Sequence, residues 1–458
     1  MTTSVELVVI GAGPGGYACA FRAADLGMKV AIVEPRAQLG GVCLNEGCIP
    51  SKALLHSAEI IKEAHHMRDW GLDFGQPKID LDKLRGKKDE IVASLTQGLA
   101  GLAKRRKVEI VSGYAKFTGS NELSINGESL SFEKAVIAAG SEPISLPGWP
   151  EDERIWNSTG ALELRSIPDQ LVIVGGGIIG LEMATVYSAL GSEVTIVEMS
   201  AQIAGTADPE CAAILHQTLA SEGITLHTNT GVTAVTATAE GIELSCEGAF
   251  TGTLLADNVI QAVGRRANGN KLDANLAGIE VMDNGIIVVD EQCRTNQPHV
   301  FAIGDVTGNP MLAHRATHQG HVAAEVAAGH EAALDNDLIP SVAYTQPELA
   351  WVGLTVAEAK AKQVPHKTTS FPWAASGRNL ASGGGAGLTK LIYCPETHRV
   401  LGASIVGKGA GELLAELVLA IEMSATLEDI ALTVHAHPTL SETIVFSAER
   451  ALGTLTDL

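Results

Sequence analysis

Cys43 and Cys48 are the residues of this chain whose type and spacing most directly suggest chemistry. In an ideal helix, residues at this spacing have Cα atoms roughly 8–9 Å apart, which exceeds the limit of about 7 Å for a disulfide. A bridge between them therefore requires an irregular turn, which Gly47 and Pro50 favour. A bridge closed in this way is readily reduced, and this suits redox catalysis better than structural stabilisation.

Two other interpretations of these cysteines remain open, a metal site and a pair of idle thiols. The sequence favours no metal, because neither a CxxC spacing nor an adjacent histidine cluster accompanies the cysteines. The chain has seven cysteines in all, and this odd number in a large chain does not predict a disulfide framework. The other five look isolated and are expected to be small buried apolar residues.

A second candidate for chemistry is the segment VHAHPTLSET near the C-terminus. Thiol chemistry needs a base that titrates near neutral pH, and histidine supplies one. Glu442 follows His437 at a spacing that would let a carboxylate orient the imidazole. The spacing alone leaves open a surface loop that simply carries His435 and His437.

The elements that must position these residues begin with a βαβ unit at the N-terminus. Residues 5–10 form an apolar run that predicts a buried strand, and a helical stretch follows it. Gly11, Gly13 and Gly16 lie at the turn between them, and the next strand ends at Glu34. Glycines there let a pyrophosphate approach the helix N-terminus, and the acid can accept hydrogen bonds from ribose hydroxyls. The sequence therefore predicts a dinucleotide site.

The same unit occurs again, with glycines at Gly175, Gly177 and Gly180 and an acid at Glu198. Two complete units predict two bound dinucleotides that exchange electrons, and the alternative is one active site and one relic. A carboxylate at Glu198 favours the free 2′-hydroxyl of NAD over the phosphate of NADP. No arginine follows in EMSAQIAG to receive that phosphate, so NAD is expected.

Composition sets limits on the class of protein. The chain has 458 residues, enough for two to four domains, and a net charge of −21. That charge argues against a nucleic-acid-binding protein, because binding to nucleic acid depends on contacts of Lys and Arg with the phosphates. No apolar run reaches the ~18 residues that cross a bilayer, so no membrane insertion is expected. The N-terminus reads as neither a secretory signal nor a transit peptide, which predicts a cytoplasmic protein.

The predicted fold is α/β, with two Rossmann-like dinucleotide-binding domains and a C-terminal α+β dimerisation domain. The boundaries that we expect are 1–148 for the first part of the first domain, 149–270 for the second domain, 271–338 for a central domain that completes the first site, and 339–458 for the interface domain. An apolar helical stretch at 411–424 is expected to serve either as core or as a subunit contact.

At this point a family resemblance is evident. The sequence resembles the disulfide-bearing pyridine nucleotide oxidoreductases from about residue 5 to its end, and most of all those that oxidise dihydrolipoamide. The most specific segments are GGVCLNEGCIPSKALL, GGGIIGLEM, AVGRRAN, FAIGDVTGNPMLAHRA, AYTQPELAWVGLT and HAHPTLSE. The resemblance implies a flavoprotein that oxidises protein-bound dihydrolipoamide and reduces NAD+ to NADH.

The resemblance also implies which residues hold the two cofactors. FAD would lie on the first unit, against Gly11, Gly13, Gly16, Glu34, Lys52, Ala115, Gly304, Asp305 and Ala313. NAD would lie on the second unit, against Gly175, Gly177, Gly180, Leu181, Glu182, Glu198, Val232, Ala262, Gly264 and Arg265. Lys52 would lie near the flavin ring and pair with Glu182, although spacing alone equally allows a solvated lysine.

Catalysis would use Cys43, Cys48, His437 and Glu442, with the histidine facing the cysteines of the other subunit of a homodimer. The implied partners are lipoyl domains and the core acyltransferase of 2-oxoacid dehydrogenase complexes, and glycine cleavage is a further setting. The alternatives are a related flavin disulfide reductase with another substrate, and a redox sensor without turnover. Glu46 stands where family members usually carry a neutral residue, and we expect its charge to make the potential of the cysteine pair more negative.

Overall fold

The structure is a computed structural model that describes residues 4–334 and 338–456. Its helices are α1 (Pro14–Asp25), α2 (Gly41–Glu46), α3 (Cys48–His66), α4 (Leu81–Arg105), α5 (Ser158–Leu162), α6 (Ile178–Leu190), α7 (Pro209–Ser221), α8 (Ala313–Ala327), α9 (Val356–Ala361), α10 (Gly377–Ala381), α11 (Ala410–Glu422), α12 (Leu427–Leu432) and α13 (Glu442–Leu452). Its strands are β1 (Ser4–Ile10), β2 (Val30–Glu34), β3 (Glu109–Ser112), β4 (Ala115–Gly119), β5 (Glu122–Ile125), β6 (Glu128–Ile137), β7 (Ser141–Pro143), β8 (Ile155–Asn157), β9 (Gln170–Val174), β10 (Glu193–Val197), β11 (Thr225–His227), β12 (Thr230–Ala237), β13 (Ile242–Gly248), β14 (Gly252–Ala256), β15 (Asn258–Gln261), β16 (Arg265–Ala267), β17 (Val300–Ala302), β18 (Ser341–Ala343), β19 (Glu348–Gly353), β20 (Lys367–Pro372), β21 (Leu388–Tyr393) and β22 (Val400–Gly407).

The chain forms two compact units, each built from three separate stretches of sequence. The described part of the first unit comprises residues 4–53, 80–144 and 264–334. The described part of the second comprises residues 54–79, 145–263 and 338–456. The division passes through helix α3, so the cysteines at the start of that helix belong to the first unit.

The first unit is built on a seven-stranded sheet with the order β3-β2-β1-β6-β5-β4, and β17 also pairs with β6. Strands β3, β2, β1, β6 and β17 are parallel, whereas β4 and β5 run antiparallel to their neighbours. Leu7 and Val9 belong to one buried cluster, while Val8 and Ile10 belong to another. Both faces of β1 are therefore covered, as the continuous apolar run predicts for a parallel sheet.

The second unit contains a parallel sheet of its own, with the order β11-β10-β9-β15-β8. Helix α6 follows β9 directly. Most of its residues are buried, because its own side chains are small or apolar on nearly every face. An antiparallel sheet of β12, β13 and β14 shares a buried cluster with β9 and β10. This arrangement repeats the strand–helix–strand order of the first unit.

The C-terminal part of the second unit is an antiparallel sheet with the order β18-β19-β22-β21-β20, covered by helices α11, α12 and α13. In α11, Leu414 and Leu417 are buried in that core, whereas Leu419 is 62% exposed. The helix predicted at 411–424 is thus present, and the core interpretation is confirmed for its buried face. The subunit-contact interpretation of its exposed face stays a prediction.

The predicted fold class is confirmed. A mainly parallel sheet and a fully parallel sheet, each with a strand–helix–strand start, are present together with a separate antiparallel α+β piece, as the sequence indicated. Among the described residues, no helix combines the length and apolarity that crossing a bilayer requires.

Candidate active site

The first glycine turn joins β1 to α1 and is held together by very close backbone approaches. Gly11 has a φ of +104°, and a Cβ there would lie 2.3 Å from the Ala138 carbonyl oxygen. A Cβ at Gly16 would lie 1.9 Å from the Gly11 carbonyl oxygen. The nearest heavy atom to a Cβ built on Gly13 is 4.0 Å away, at Gly41. Two glycines therefore make the turn possible, and the third leaves space beside the helix N-terminus for a phosphate.

Glu34 closes this turn from the end of β2. Its Oε2 accepts a hydrogen bond of 2.8 Å from the Ala12 amide, and its Oε1 accepts one of 3.1 Å from the Arg36 amide. The side chain is 3% exposed. A carboxylate has about four lone-pair directions, so roughly two remain for ribose hydroxyls. The open space beside Gly13 and the lone pairs left on Glu34 are the features that a dinucleotide requires here.

The second glycine turn has the same construction. Gly175 has a φ of +112°, with a Cβ position 2.3 Å from the Ala262 carbonyl oxygen, whereas the space beside Gly177 is open. Glu198 accepts hydrogen bonds of 2.6 Å from the amides of Gly176 and Ser200. The second unit thus carries the same kind of glycine turn and closing carboxylate as the first.

The cysteines lie where two helices meet at a break. Helix α2 ends at Glu46, Gly47 has φ −142° and ψ −108°, and Cys48 begins α3. Pro50 lies in the first turn of α3, where a missing N–H costs nothing. The irregular turn that a bridge between Cys43 and Cys48 requires is therefore confirmed. Both residues are free thiols in this structure.

The two thiols interact with each other. The hydrogen bond that the Cys43 thiol donates to the Cys48 sulfur, together with burial, raises the pKa of the Cys43 thiol. The nearby ammonium of Lys52 acts in the opposite direction and lowers that pKa. The Lys52 ammonium is therefore close enough to the Cys43 sulfur to stabilise a thiolate there.

The cysteine-bearing helix α2 packs directly against the first glycine turn. The Gly40 amide donates a hydrogen bond of 2.8 Å to the Ala12 carbonyl. A Cβ at Gly41 would lie 2.5 Å from the Gly13 Cα, so only glycine permits this approach. Asn45 donates from its side chain to the Gly41 carbonyl at 2.8 Å and secures the start of the helix. The thiols and the dinucleotide cradle are thus parts of one rigid piece.

His437 and Glu442 lie in the second unit and form a hydrogen-bonded pair. The distance from Nδ1 of His437 to Oε1 of Glu442 is 2.8 Å, and the Thr439 amide donates to Oε2 at 2.8 Å. The His437 side chain is 80% exposed, while that of Glu442 is 14% exposed. A carboxylate bound to Nδ1 keeps the proton there and leaves Nε2 as the base.

His435 is arranged differently although it is only two residues away. Its side chain is 8% exposed, and its Nε2 lies 2.7 Å from Oε1 of Glu416. Its Nδ1 lies 2.8 Å from the Thr433 carbonyl oxygen. Both ring nitrogens are therefore engaged within the fold. Of the two histidines that the sequence offered, only His437 presents a ring nitrogen for chemistry.

Further predicted FAD residues lie in the first unit with the glycine turn. Asp305 accepts a hydrogen bond of 2.5 Å from the Ser141 hydroxyl. Gly304 donates from its amide to the Gln319 side chain at 2.7 Å. Ala313 is the first residue of α8, and Ala115 is the buried first residue of β4.

The residues predicted to line the NAD site are divided between the units. Val232 and Ala262 lie in the second unit with its glycine turn, as do Leu181 and the buried Glu182. Gly264 and Arg265 lie in the first unit instead. There the Arg265 guanidinium donates to the hydroxyl and the carbonyl oxygen of Ser141, at 2.7 and 2.8 Å. The structure thus groups Arg265 with Ser141 and Asp305.

Sequence reasoning missed Ser141, Gln319 and Arg36. Ser141 could have been found, because it follows the carboxyl end of the parallel strand β6, where ligand-facing residues of such sheets gather. Gln319 lies on a helix far from any glycine motif, and its spacing gives no signal.

Comparison with known proteins places this geometry in a family. Residues 5–320 match the model described as pyridine nucleotide-disulphide oxidoreductase, and residues 339–448 match the dimerisation domain of that family. The dihydrolipoyl dehydrogenase of Vibrio cholerae is 53% identical over 99% of this chain and 97% of its own length. That of Haemophilus influenzae is 53% identical over 99% and 96%. That of Geobacillus stearothermophilus is 44% identical over 98% and 96%.

Solved structures show the same fold. LpdA from Mycobacterium tuberculosis superposes with a TM-score of 0.88 at 25% identity, covering 98% of this chain and all of its own. The HOCl-induced flavoprotein disulfide reductase RclA from Escherichia coli has a TM-score of 0.87 at 25% identity, covering 97% of this chain and 99% of its own.

Proposed function

The chain belongs to the pyridine nucleotide-disulphide oxidoreductases, and on that premise we propose that it oxidises dihydrolipoamide to lipoamide and reduces NAD+ to NADH. The observation that carries the proposal is the cysteine-bearing helix α2 packed on a dinucleotide cradle. The relatives at 53% identity over nearly the whole chain are dihydrolipoyl dehydrogenases, which supports this substrate. The family uses FAD and NAD, and the two cradles provide one site for each.

The first cradle would hold FAD. Gly11, Gly13 and Gly16 would admit the pyrophosphate, and the free lone pairs of Glu34 would accept from the adenosine ribose. Further contacts would come from Lys52, Ala115, Gly304, Asp305 and Ala313. When bound, FAD supplies a two-electron acceptor beside the cysteine pair and a donor for NAD.

The second cradle would hold NAD, through Gly175, Gly177, Gly180, Leu181, Glu182, Glu198, Val232 and Ala262. The Glu198 carboxylate would accept from the 2′-hydroxyl and repel a 2′-phosphate, which selects NAD over NADP. The predicted roles of Gly264 and Arg265 at this site, and the pairing of Lys52 with Glu182, join residues of the two units and stay predictions.

The cysteines would perform the dithiol–disulfide exchange. A substrate thiolate attacks the sulfur of Cys43 in the oxidised pair, and the bond between the cysteines breaks with its electrons on Cys48. The second substrate thiolate then attacks the mixed disulfide, so that lipoamide leaves and Cys43 is released. The substrate loses two electrons, which remain on the cysteine pair, and its two protons must be removed as the thiolates form.

His437 would remove those protons. Its Nε2 is the free ring nitrogen, because Nδ1 faces the Glu442 carboxylate. The exposure of His437 suits a group that serves the cysteines of a second subunit, and the match to a dimerisation domain supports a homodimer. The resulting imidazolium would also favour the Cys48 thiolate.

The setting of the protein is part of the same proposal. We infer a cytoplasmic homodimer that takes its substrate from lipoyl domains and assembles with the core acyltransferase of a 2-oxoacid dehydrogenase complex. We also propose the four-part division at 148, 270 and 338, because it keeps each glycine turn together with the strand and the helix that flank it.

The decisive experiment is an anaerobic titration of the purified holoprotein with dihydrolipoamide, followed by NAD+. We expect a long-wavelength thiolate–flavin absorbance and then NADH, with no comparable reduction of NADP+. Cys43→Ser should lose the reduction by dihydrolipoamide but should still bind FAD, because the first cradle is unaltered.

The opposite outcome also has a clear meaning. If the flavin stays oxidised with dihydrolipoamide but is reduced by another dithiol, the substrate proposal fails and a related flavin disulfide reductase remains. His437→Gln tests the base separately, because loss of general-base catalysis should slow turnover by a factor of about 10²–10⁴ without changing the spectrum.

A further inference from the structure

Arg36 lies between two carboxylates of the first unit. Its Nε and one terminal nitrogen lie 3.3 Å from the two oxygens of Glu46, at the end of the cysteine helix α2. Its other terminal nitrogen lies 3.6 Å from Oε1 of Glu34. The guanidinium thus makes a two-point contact with Glu46 and only one longer contact with Glu34. Two-point contacts of this kind fix the orientation of an arginine.

The burial of the three side chains is unequal. Glu34 is 3% exposed, whereas Arg36 and Glu46 are 36% and 34% exposed. The cluster carries two negative charges and one positive charge, so one negative charge remains. Because the Arg36 guanidinium makes a two-point contact with the outer carboxylate and a single longer contact with Glu34, Glu34 is the less fully neutralised of the two carboxylates.

Hydrogen-bond counting shows why this matters for a ligand. Two of the roughly four lone-pair directions of Glu34 are used by the amides of Ala12 and Arg36. The two vicinal hydroxyls of a ribose would use the others. A guanidinium seated on Glu34 would occupy those same directions and neutralise the charge that strengthens the hydrogen bonds.

We propose that Glu46 is an affinity determinant for the adenosine ribose at the first cradle, because it holds the Arg36 guanidinium away from Glu34. The inference rests on the proposed function, which puts a dinucleotide at this cradle. The sequence suggested that the charge of Glu46 makes the potential of the cysteine pair more negative. Because Arg36 pairs with that charge, we expect the effect of Glu46 on the potential to be smaller and its main role to be at the ribose.

The test compares FAD dissociation constants of apo-protein variants, measured by the change in flavin fluorescence on binding. Glu46→Val is expected to weaken FAD binding about tenfold, as the loss of one charge-assisted hydrogen bond would. Glu46→Gln should show an intermediate loss. Arg36→Ala should leave the affinity within about twofold, and the double variant Arg36→Ala/Glu46→Val should recover it, because the competing guanidinium is gone.

The double variant separates this role from a purely structural one. If Arg36 and Glu46 only fasten the cysteine helix to the turn, Arg36→Ala weakens FAD binding as much as Glu46→Val, and the double variant stays weak. That result overturns the proposal, as does an unchanged affinity in Glu46→Val. Asp25→Ala is the matched control, because it removes the carboxylate partner of Arg106 in the same unit. It should leave FAD binding unchanged.

Failure of this inference is distinguishable from failure of the proposed function. If the unaltered apo-protein does not bind FAD, the cofactor assignment itself is wrong. If it binds FAD and Glu46→Val binds equally well, only the role of Glu46 falls. NAD affinity, which depends on Glu198 in the other unit, should be the same in all these variants. A change there would indicate a general loss of folding.

Discussion

Replacing Thr389 by valine is expected to loosen helix α13, whose first residue is Glu442. A directional chain of buried hydrogen bonds leads to this helix. The Trp373 indole N–H donates to the Thr389 hydroxyl at 2.9 Å, and the Thr389 and Thr443 hydroxyls are 2.8 Å apart. Thr443 in turn donates to the Leu440 carbonyl at 2.7 Å. Since the Thr443 proton is used there, the Thr389 hydroxyl donates to Thr443.

The size of the effect follows from the burial of this chain. Trp373, Thr389 and Thr443 are all 0% exposed, so no water replaces a lost partner. Valine has the shape of threonine but leaves the indole N–H without an acceptor, which costs about 1–3 kcal/mol. The added methyl recovers up to about 0.8 kcal/mol. A net loss of about 1.5 kcal/mol corresponds to roughly tenfold more frequent opening of the helix.

Hydrogen exchange measured by mass spectrometry reports this opening directly. Peptides from α13 should exchange roughly tenfold faster in Thr389→Val, under conditions where exchange follows the opening equilibrium. Thr389→Ser should restore slow exchange, because it restores the hydroxyl. Thr368→Val, at an exposed position of the neighbouring strand β20, is the matched control and should change nothing. Equal exchange in the Thr389→Val and unaltered proteins would refute the reasoning.

Three further changes have defined outcomes. Glu348→Gln should raise the thermal midpoint at pH 7, because burial raises the pKa of the Glu348 carboxyl and its ionised form costs stability as the pH rises above the ordinary carboxyl range; the gain should vanish near pH 4, where the carboxyl is protonated. Lys52→Gln should raise the pKa of the Cys43 thiol, which the ammonium lowers, so alkylation of the reduced protein by iodoacetamide should slow at fixed pH. Gly387→Ala should reduce the free energy of unfolding by about 1–3 kcal/mol and so lower the thermal midpoint, because the added methyl would lie 2.5 Å from the Trp373 ring.

Local sequence patterns predicted the parts of this protein that are built locally. The strand–turn–helix order around each glycine motif could be predicted because glycine spacing and apolar runs act over a few residues. The break at Gly47 could be predicted from the geometry that a bridge between Cys43 and Cys48 demands.

Contacts between distant stretches of sequence could not be predicted in the same way. The hydroxyl chain joins Trp373 and Thr389 to Thr443, and nothing in their spacing signals that they meet. Likewise, Arg265 follows directly on the second dinucleotide unit in sequence but packs in the first compact unit. His435 and His437 were equivalent in the sequence, and only their burial distinguishes them.

The two glycine turns explain why an acid follows the first glycine at the same spacing in both. Glu34 accepts from the amide of Ala12, and Glu198 accepts from the amide of Gly176. In each case the donor is the residue directly after the first glycine. The acid therefore completes the turn whether or not a ligand is present, and only its remaining lone pairs are available to recognise a ribose.

The turns differ at the residue two positions after the acid. Both Arg36 and Ser200 donate their amides to that acid, at 3.1 and 2.6 Å. A serine side chain brings no charge, so the carboxylate of Glu198 keeps its full affinity for hydroxyl donors. An arginine side chain brings a competing cation within reach of Glu34. The first turn therefore needs a second carboxylate to hold that cation, and Glu46, at the end of the cysteine helix α2, provides it. The second turn has no such cation and needs no second carboxylate.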